Sequence, residues 1–332
     1  MDPTYADVAA AALRIAGRAR RTPLLALPAD GPGALGPDLW AKPENLQLTG
    51  AFKLRGAMNF LARLDRDVRA RGVVTHSSGN HGQAVACAAA TFGVPATVVI
   101  PEGAPRVKLE RTRAWGATVL RCRPTSEDRA RVAEEAAADS GATIVPPYDH
   151  PWIVAGQGTV GLEIADDLPE VANVLVCVGG GGLSSGIVTA LAERAPRARV
   201  IGVEPAFAAD AKESLARGER VTWSAEDTAR TIADGVRTQT LGELPFRILH
   251  GRMHGVVTVS EQEIRAATAW WARHGRLVVE PTGALTLAAW RRLARGDADG
   301  VTLADGPTVL VISGGNVDED VLASLLTDPA LG

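Results

Sequence analysis

Val174-Leu175-Val176-Cys177-Val178-Gly179-Gly180-Gly181-Gly182-Leu183-Ser184-Ser185-Gly186-Ile187 decides the reading of this chain. Its apolar, valine-rich first half predicts a buried strand, and the residues after the glycines begin a helix. Four successive glycines open backbone conformations closed to other residues and remove every side chain, so peptide N–H groups can close around an anion. The helix start adds unpaired N–H donors and the positive end of its dipole. The stretch therefore predicts a phosphate cup, the phosphate belonging to a cofactor. A flexible turn without a ligand is the competing reading, but four glycines weaken such a connection unless something needs them.

Two familiar phosphate loops compete with this reading. A nucleoside triphosphate loop needs Gly-x-x-x-x-Gly-Lys-Ser/Thr; Gly181 to Gly186 has the spacing, but Ile187 follows where a lysine should stand. A dinucleotide loop needs Gly-x-Gly-x-x-Gly; Gly179-x-Gly181 is followed by Ser184 at the third position, although Glu204 ends the next strand where a ribose-binding acid would sit. The dinucleotide reading is the rival that stays open at this point.

The chain of 332 residues suggests two domains, at about 150 residues per domain. With 46% hydrophobic and 22% charged residues it has the material for a sizeable core. A net charge of −3 gives no bias toward nucleic acid or an anionic membrane, and neither is expected as a partner. The three cysteines, Cys87, Cys122 and Cys177, show no paired spacing and read as reduced core residues. No apolar run approaches about 20 residues, and the first residues lack a signal-peptide pattern, so a soluble cytoplasmic protein is expected.

Outward from the glycine run, strands and helices alternate, which implies parallel sheets. Residues 66–149 form a small α/β unit, and residues 1–65 with 150–332 a larger one. Residues 5–20 read as an amphipathic helix, another begins near Gly158, and Ser260 with Glu263 makes a capping box.

Three further stretches carry chemistry. In Thr49-Gly50-Ala51-Phe52-Lys53-Leu54-Arg55-Gly56, Thr49 is expected to cap a helix that buries Leu54, Ala57, Met58 and Leu61. Lys53 then lies in the first turn, where the dipole disfavours an ammonium. A lysine held neutral for imine chemistry and a solvated surface lysine are both open readings. Ser77-Ser78-Gly79-Asn80-His81-Gly82 follows a strand and opens a helix, a second anion site suited to a small carboxylate, or else an ordinary capped helix start. His81 is expected to be hydrogen-bonded in the loop rather than to act as a base. Finally Ser313-Gly314-Gly315-Asn316 closes the last strand at its carboxyl end, where ligands of open α/β sheets bind.

A phosphate cup, a carboxylate loop and an imine lysine together describe pyridoxal 5'-phosphate holding an amino acid. Pro43-Glu44-Asn45-Leu46-Gln47-Leu48-Thr49-Gly50-Ala51-Phe52-Lys53-Leu54-Arg55-Gly56, Ser77 to His81, Gly179 to Gly182 and Ser313 to Asn316 resemble, in the same order, the fold-type II pyridoxal phosphate enzymes of the serine/threonine dehydratase and serine racemase group. The resemblance implies two open, twisted, mostly parallel sheets flanked by helices. It implies that Lys53 holds the cofactor as an imine, that Phe52 packs on its ring, that Asn80 meets its ring hydroxyl, and that Gly179, Gly180, Gly181, Gly182 and Leu183 hold its phosphate. It puts Ser313 beside the pyridine nitrogen, and Ser77, Ser78, Gly79, Asn80 and His81 around the substrate. It implies a homodimer and β-elimination from L-threonine or L-serine to a 2-oxo acid and ammonia. Glu204, the Ala208 carbonyl and Asp210 match the family's site for Mg²⁺ or Ca²⁺, oxygen donors suited to either ion. Many bacterial threonine dehydratases of the group lack the acid at Glu204 and have alanine at Ser78. This chain has both, as racemases and 3-hydroxyaspartate dehydratases do, with Ser78 then a second acid/base on the far face of Cα. These two activities are the alternative reading.

Overall fold

All strands but the first pair in parallel, and the order in which they pair locates two crevices. The computed structural model describes residues 1–77, 79–103, 106–123, 125–298 and 300–331, with the backbone alone at 106–108 and 126. The strands are β1 (Leu25–Ala26), β2 (Leu39–Pro43), β3 (Val73–His76), β4 (Ala96–Pro101), β5 (Thr118–Cys122), β6 (Thr143–Ile144), β7 (Asn173–Cys177), β8 (Arg199–Pro205), β9 (Gly255–Val259) and β10 (Thr308–Ile312). This is the predicted architecture, an α/β protein with two open, mostly parallel sheets flanked by helices.

The six-stranded sheet runs β1-β2-β10-β7-β8-β9, with β1 antiparallel. From β7 the chain steps outward to β8 and β9, then returns to the opposite side of β7 as β10. Connections on the two sides of β7 leave in opposite directions, which opens a crevice at the carboxyl ends of β7 and β10. The glycine run follows β7, and Ser313 follows β10. The four-stranded sheet, β5-β4-β3-β6, repeats the device: β3 leads outward to β4 and β5, and β6 returns to the other side of β3. Its crevice is flanked by Ser77 after β3 and by the segment from Val145 to Tyr148 after β6.

Both sheets are buried because helices cover them. Ile153, Val154 and Ile164 of helix Pro151–Asp167 are fully buried, as are Ile187 and Ala190 of helix Gly182–Arg194. The two helices touch through their backbones, since a Cβ at Gly186 would fall 2.4 Å from Gly158 N. Helix Lys53–Arg63 belongs to the second core: Leu54, Ala57, Met58, Phe60 and Leu61 pack with Val73, Ala84, Ala88, Val98 and Ile100. The helix that carries Lys53 thus joins the four-stranded sheet to the rest of the chain. No helix among the described residues is long and apolar enough to cross a membrane.

Local expectations fare differently. Ser260 and Glu263 form the predicted capping box, and all three cysteines are free and buried. The first helix stops at Ile15, short of residue 20. The helix expected near Gly158 begins seven residues earlier, at Pro151, where His150 Nδ1 accepts from Trp152 N at 3.1 Å. Its three glycines, Gly156, Gly158 and Gly161, weaken the helical signal in the sequence, while close packing supports the helix. Thr49 does not cap helix Lys53–Arg63: Phe52 occupies the cap in helical geometry with no side-chain bond, and Thr49 Oγ1 is buried without a partner.

Beneath this helix lies a buried ionic cluster. Arg55 grips Glu44 with two bonds of 2.7 Å and Glu163 with bonds of 2.6 and 2.8 Å, and Lys42 Nζ donates to Glu163 Oε2 at 2.6 Å. Two cations face two carboxylates, so the cluster is balanced, but removing one cation strands a buried charge. Arg55→Leu is therefore expected to lower stability in urea unfolding by about 3–5 kcal/mol. A loss below about 1 kcal/mol would show that Glu44 and Glu163 do not depend on Arg55.

Candidate active site

The first turn of helix Lys53–Arg63 is tied to the end of β10. Phe52 N donates to Ser313 O at 3.0 Å, and Ala51 forms an isolated bridge with Gly314. Lys53 is thereby set at the mouth of the six-stranded crevice, while its side chain crosses to the other sheet: Nζ donates to Pro147 O at 2.8 Å. It sits between the Phe52 ring, 5.2 Å from the ring centre, and that of Tyr148, at 6.0 Å. Burial lowers its pKa from 10.5 to about 8, with only the Cys177 thiol opposing the shift. Among the described residues no carboxylate pairs with it. The two crevices merge here into one cavity of about 810 Å³ that includes Lys53, Asn80, Tyr148, the glycine run, Glu280 and Ser313 in its lining.

The glycine run forms an open turn at the start of a helix. Gly181, at φ +87°, is the residue before helix Gly182–Arg194, in the left-handed region that other residues avoid. The N–H groups of Gly182, Leu183 and Ser184 lack intrahelical acceptors by the geometry of a helix start. At Gly180 a Cβ would meet the Tyr148 ring at 2.4 Å, so the ring packs directly on the loop backbone. The hydroxyls of Thr238 and Thr240 face the same cavity, buried and without partners among the described residues.

Of the second loop, Ser78 lies outside the described residues. The Ser77 hydroxyl accepts from Gly79 N at 3.3 Å. Gly79 precedes helix Asn80–Phe92 without a side-chain cap, and Asn80 Nδ2 instead donates to Glu280 Oε1 at 2.8 Å. His81 is bonded in the loop as expected, its Nε2 3.1 Å from Val145 O. Burial and then the Lys53 charge push it down to about 3, so its ring stays neutral. Ser313 Oγ is buried and has no partner among the described residues. Cys177, expected as plain core, reaches the cavity wall; burial pushes its thiol up to about 11, which leaves it protonated and inert.

Glu204 is fully buried, and its carboxylate accepts from Ala211 N at 3.0 Å and Lys212 N at 2.8 Å. It caps helix Asp210–Arg217 from below, which removes it from any ribose and with it the dinucleotide reading. Asp210, at the start of that helix, is 1% exposed, and its carboxylate has no side-chain partner among the described residues. Burial pushes Asp210 up to about 7, and burial with the Asp210 charge pushes Glu204 up as well. No cluster of three or more His, Cys, Asp or Glu suited to a metal occurs among the described residues. The expected donor set is these two carboxylates and the Ala208 carbonyl. Its hard oxygens fit a hard cation.

Sequence reasoning missed Tyr148, Glu280, Thr238 and Thr240. Nothing in the spacing of Pro146-Pro147-Tyr148 or Glu280-Pro281-Thr282 says that they meet Lys53 and Asn80.

An amine held near neutrality, a glycine turn at a helix start and an orphaned hydroxyl fit an aromatic aldehyde bearing a phosphate. The family profile described as pyridoxal-phosphate dependent enzyme matches residues 15–314. The chain is similar to serine racemase of Schizosaccharomyces pombe, 39% identical over 325 residues and 98% of each chain. It is similar to L-threo-3-hydroxyaspartate ammonia-lyase of Saccharomyces cerevisiae, 38% identical over 98% of this chain and 97% of that one. It is also similar to L-threonine ammonia-lyase of Geobacter sulfurreducens, 43% identical over 86% of this chain and 68% of the relative. Among solved structures, maize serine racemase superposes with a TM-score of 0.90 at 33% identity, covering 98% of this chain and 97% of that one.

The Lys53 amine carries its own prediction. In protein freed of cofactor, trapping of a small aldehyde on Lys53 by borohydride should rise with pH to a midpoint of about 8, and a midpoint at the ordinary 10.5 would show that burial does not tune this lysine.

Proposed function

Because the chain belongs to the pyridoxal-phosphate dependent enzymes, we propose that it is an ammonia-lyase that deaminates L-threonine or L-serine to 2-oxobutanoate or pyruvate by β-elimination. The observation that carries this reading is Lys53, an amine with a pKa of about 8 in a cavity bounded by two helix starts.

The bound cofactor supplies an electron sink for the charge left at Cα when its proton is removed. Lys53 would hold the cofactor through its aldehyde, and with a substrate amine in its place Lys53 Nζ would be the base for the α-proton. With a pKa of about 8, a useful fraction of the amine is free base near neutral pH, as a general base requires. The N–H groups of Gly179 to Leu183 hold the phosphate, and the Tyr148 ring packed on Gly180 keeps that loop from collapsing. Phe52 flanks the cofactor ring, and Asn80 meets its hydroxyl. Ser313 offers the pyridine nitrogen a neutral hydroxyl, which does not hold it protonated as a carboxylate would. Such a neutral partner would make the ring a weaker electron sink, which would favour loss of the β-substituent over transamination. The loop of Ser77, Gly79, Asn80 and His81 receives the substrate carboxylate at the start of helix Asn80–Phe92, where N–H donors and the dipole favour an anion. Residues 66–149 form the smaller unit that closes over the substrate.

Racemisation of serine, or action on threo-3-hydroxyaspartate, is the second reading. Two of the similar proteins carry those names at nearly full coverage. Ser78 would then donate a proton to the face of Cα opposite Lys53. A cytoplasmic homodimer goes with either reading. Exposed Leu46 and Val278, brought together by the bond from Asn45 Nδ2 to Val278 O, support association through that face.

The holoenzyme incubated with L-threonine, L-serine and L-threo-3-hydroxyaspartate should release ammonia and a 2-oxo acid, and Lys53→Ala should lower the rate by about 10²–10⁴-fold or more. Formation of D-serine that Ser78→Ala abolishes while L-serine elimination persists would select the racemase reading. Keto acid without D-serine leaves a plain dehydratase, and no product from any of the three would reject the proposal.

We also propose that Glu204, the Ala208 carbonyl and Asp210 hold Mg²⁺ or Ca²⁺. Millimolar Ca²⁺ or Mg²⁺ should raise the thermal midpoint of the wild type and leave that of Glu204→Gln unmoved, because a ligand bound only by the folded state stabilises it. Equal responses of the two proteins would remove the site.

A further inference from the structure

Four side chains form an unbroken chain of hydrogen bonds along one wall of the cavity. Arg111 Nη1 donates to Asn316 Oδ1 at 3.3 Å, Asn316 Nδ2 donates to Asn80 Oδ1 at 2.8 Å, and Asn80 Nδ2 donates to Glu280 Oε1 at 2.8 Å. The ends of this chain differ in kind from its middle. A guanidinium has donors and no acceptor, a carboxylate has acceptors and no donor, and an asparagine amide has one acceptor end and one donor end. With Arg111 at one end, Asn316 must turn its oxygen toward the guanidinium and its NH₂ toward Asn80. With Glu280 at the other, Asn80 must turn its NH₂ toward the carboxylate and its oxygen toward Asn316. The two constraints agree. Flipping either amide would oppose two donors at one link and two acceptors at another.

We infer that Arg111 is a positioning residue that closes the far end of this chain, so that with Glu280 at the near end it holds Asn316, and through it the Asn80 amide, in the orientation that faces the cofactor cavity. Three features suit that role. Asn316 Nδ2 uses its second hydrogen on Thr49 O at 2.8 Å, so Asn316 is held at three points. Asn80 Nδ2 has Glu280 as its acceptor and keeps a second hydrogen for a ligand. Glycines make room for both acceptors: a Cβ at Gly50 would lie 2.6 Å from Asn316 Oδ1, and one at Gly314 would lie 2.4 Å from Glu280 Oε1.

The chain also crosses between the two sheets. Arg111 and Asn80 stand on helices Arg106–Ala114 and Asn80–Phe92, which pack with the four-stranded sheet, whereas Asn316 follows β10 and Glu280 precedes helix Pro281–Ala294 of the six-stranded one. Asn80 therefore acquires its fixed polarity only when the two sheets stand together as they do here.

This inference rests on the cofactor reading proposed above, and charge reversal at Arg111 tests it. Arg111→Lys keeps a donor-only end, Arg111→Met removes the end, and Arg111→Glu replaces it with an acceptor-only end that opposes Asn316 Oδ1 and so loosens the chain. For each holoenzyme the absorption spectrum is recorded, and for each resolved protein the dissociation constant for pyridoxal phosphate, with the thermal midpoint as a control on folding. Arg111→Lys should stay within about twofold of the wild type. Arg111→Glu should bind about tenfold more weakly, the weight of one hydrogen bond to a charged group, with a shifted absorption band. Equal weakening in the lysine and glutamate variants, or none in either, would overturn the inference. Should Arg111→Glu fail to fold, Arg111→Met and Asn316→Asp decide in its place, and wild-type affinity and spectrum in both would overturn it. A wild type that binds no pyridoxal phosphate at all would instead reject the proposed function.

Discussion

The setting of Lys53 takes its amine out of water without giving it a counter-charge, and the surrounding structure is arranged about that residue. The chain contains a control for it. Lys42 is also buried, but its Nζ meets Glu163 and Thr22 O at 2.6 Å each, and the Glu163 and Glu44 charges pull against the effect of burial. Lys53 receives a carbonyl and two aromatic rings and no carboxylate. Desolvation without a counter-charge favours the neutral form, so the same chain builds a structural ammonium and a reactive amine out of one residue type.

Topology brings the parts of the site together. Each sheet reverses its strand order once, and each reversal opens at the carboxyl ends of two adjacent strands. One crevice offers the glycine run and Ser313, the other Ser77 and Pro147. Helix Lys53–Arg63 spans them, anchored to the first by the Phe52 N to Ser313 O bond and packed into the core of the second. The Arg55 cluster holds that helix from beneath, so a rigid ionic base lies two residues from the reactive lysine.

Buried carboxylates are treated in two ways. Glu44 and Glu163 are matched by Arg55 and Lys42 within the chain. Glu204 has two backbone N–H donors, and Asp210 has no side-chain partner among the described residues. Burial without an ion pair like those of Arg55 and Lys42 raises the pKa of both Glu204 and Asp210, so this second pair favours protonation where the first stays ionised.

What could be read in advance follows the same division between local and distant causes. The glycine run, the lysine in a first helical turn and the alternation of strands and helices are local patterns, and the two sheets followed from them. Thr49 was misread because Thr-x-x-x-Lys looks like a capped start, whereas the bond from Phe52 to Ser313 sets the start three residues later. Cys177 looked like core because its strand is apolar, although the strand ends in the cavity. Tyr148 and Glu280 enter through contacts between residues about 100 to 200 positions apart, which no periodicity records. Arg111 shows the limit most clearly. In sequence it is one of several arginines on a polar helix, and its meaning comes from a donor-only group meeting an amide two links away from a carboxylate. Polarity of that kind belongs to the assembled chain of bonds, not to any residue in it.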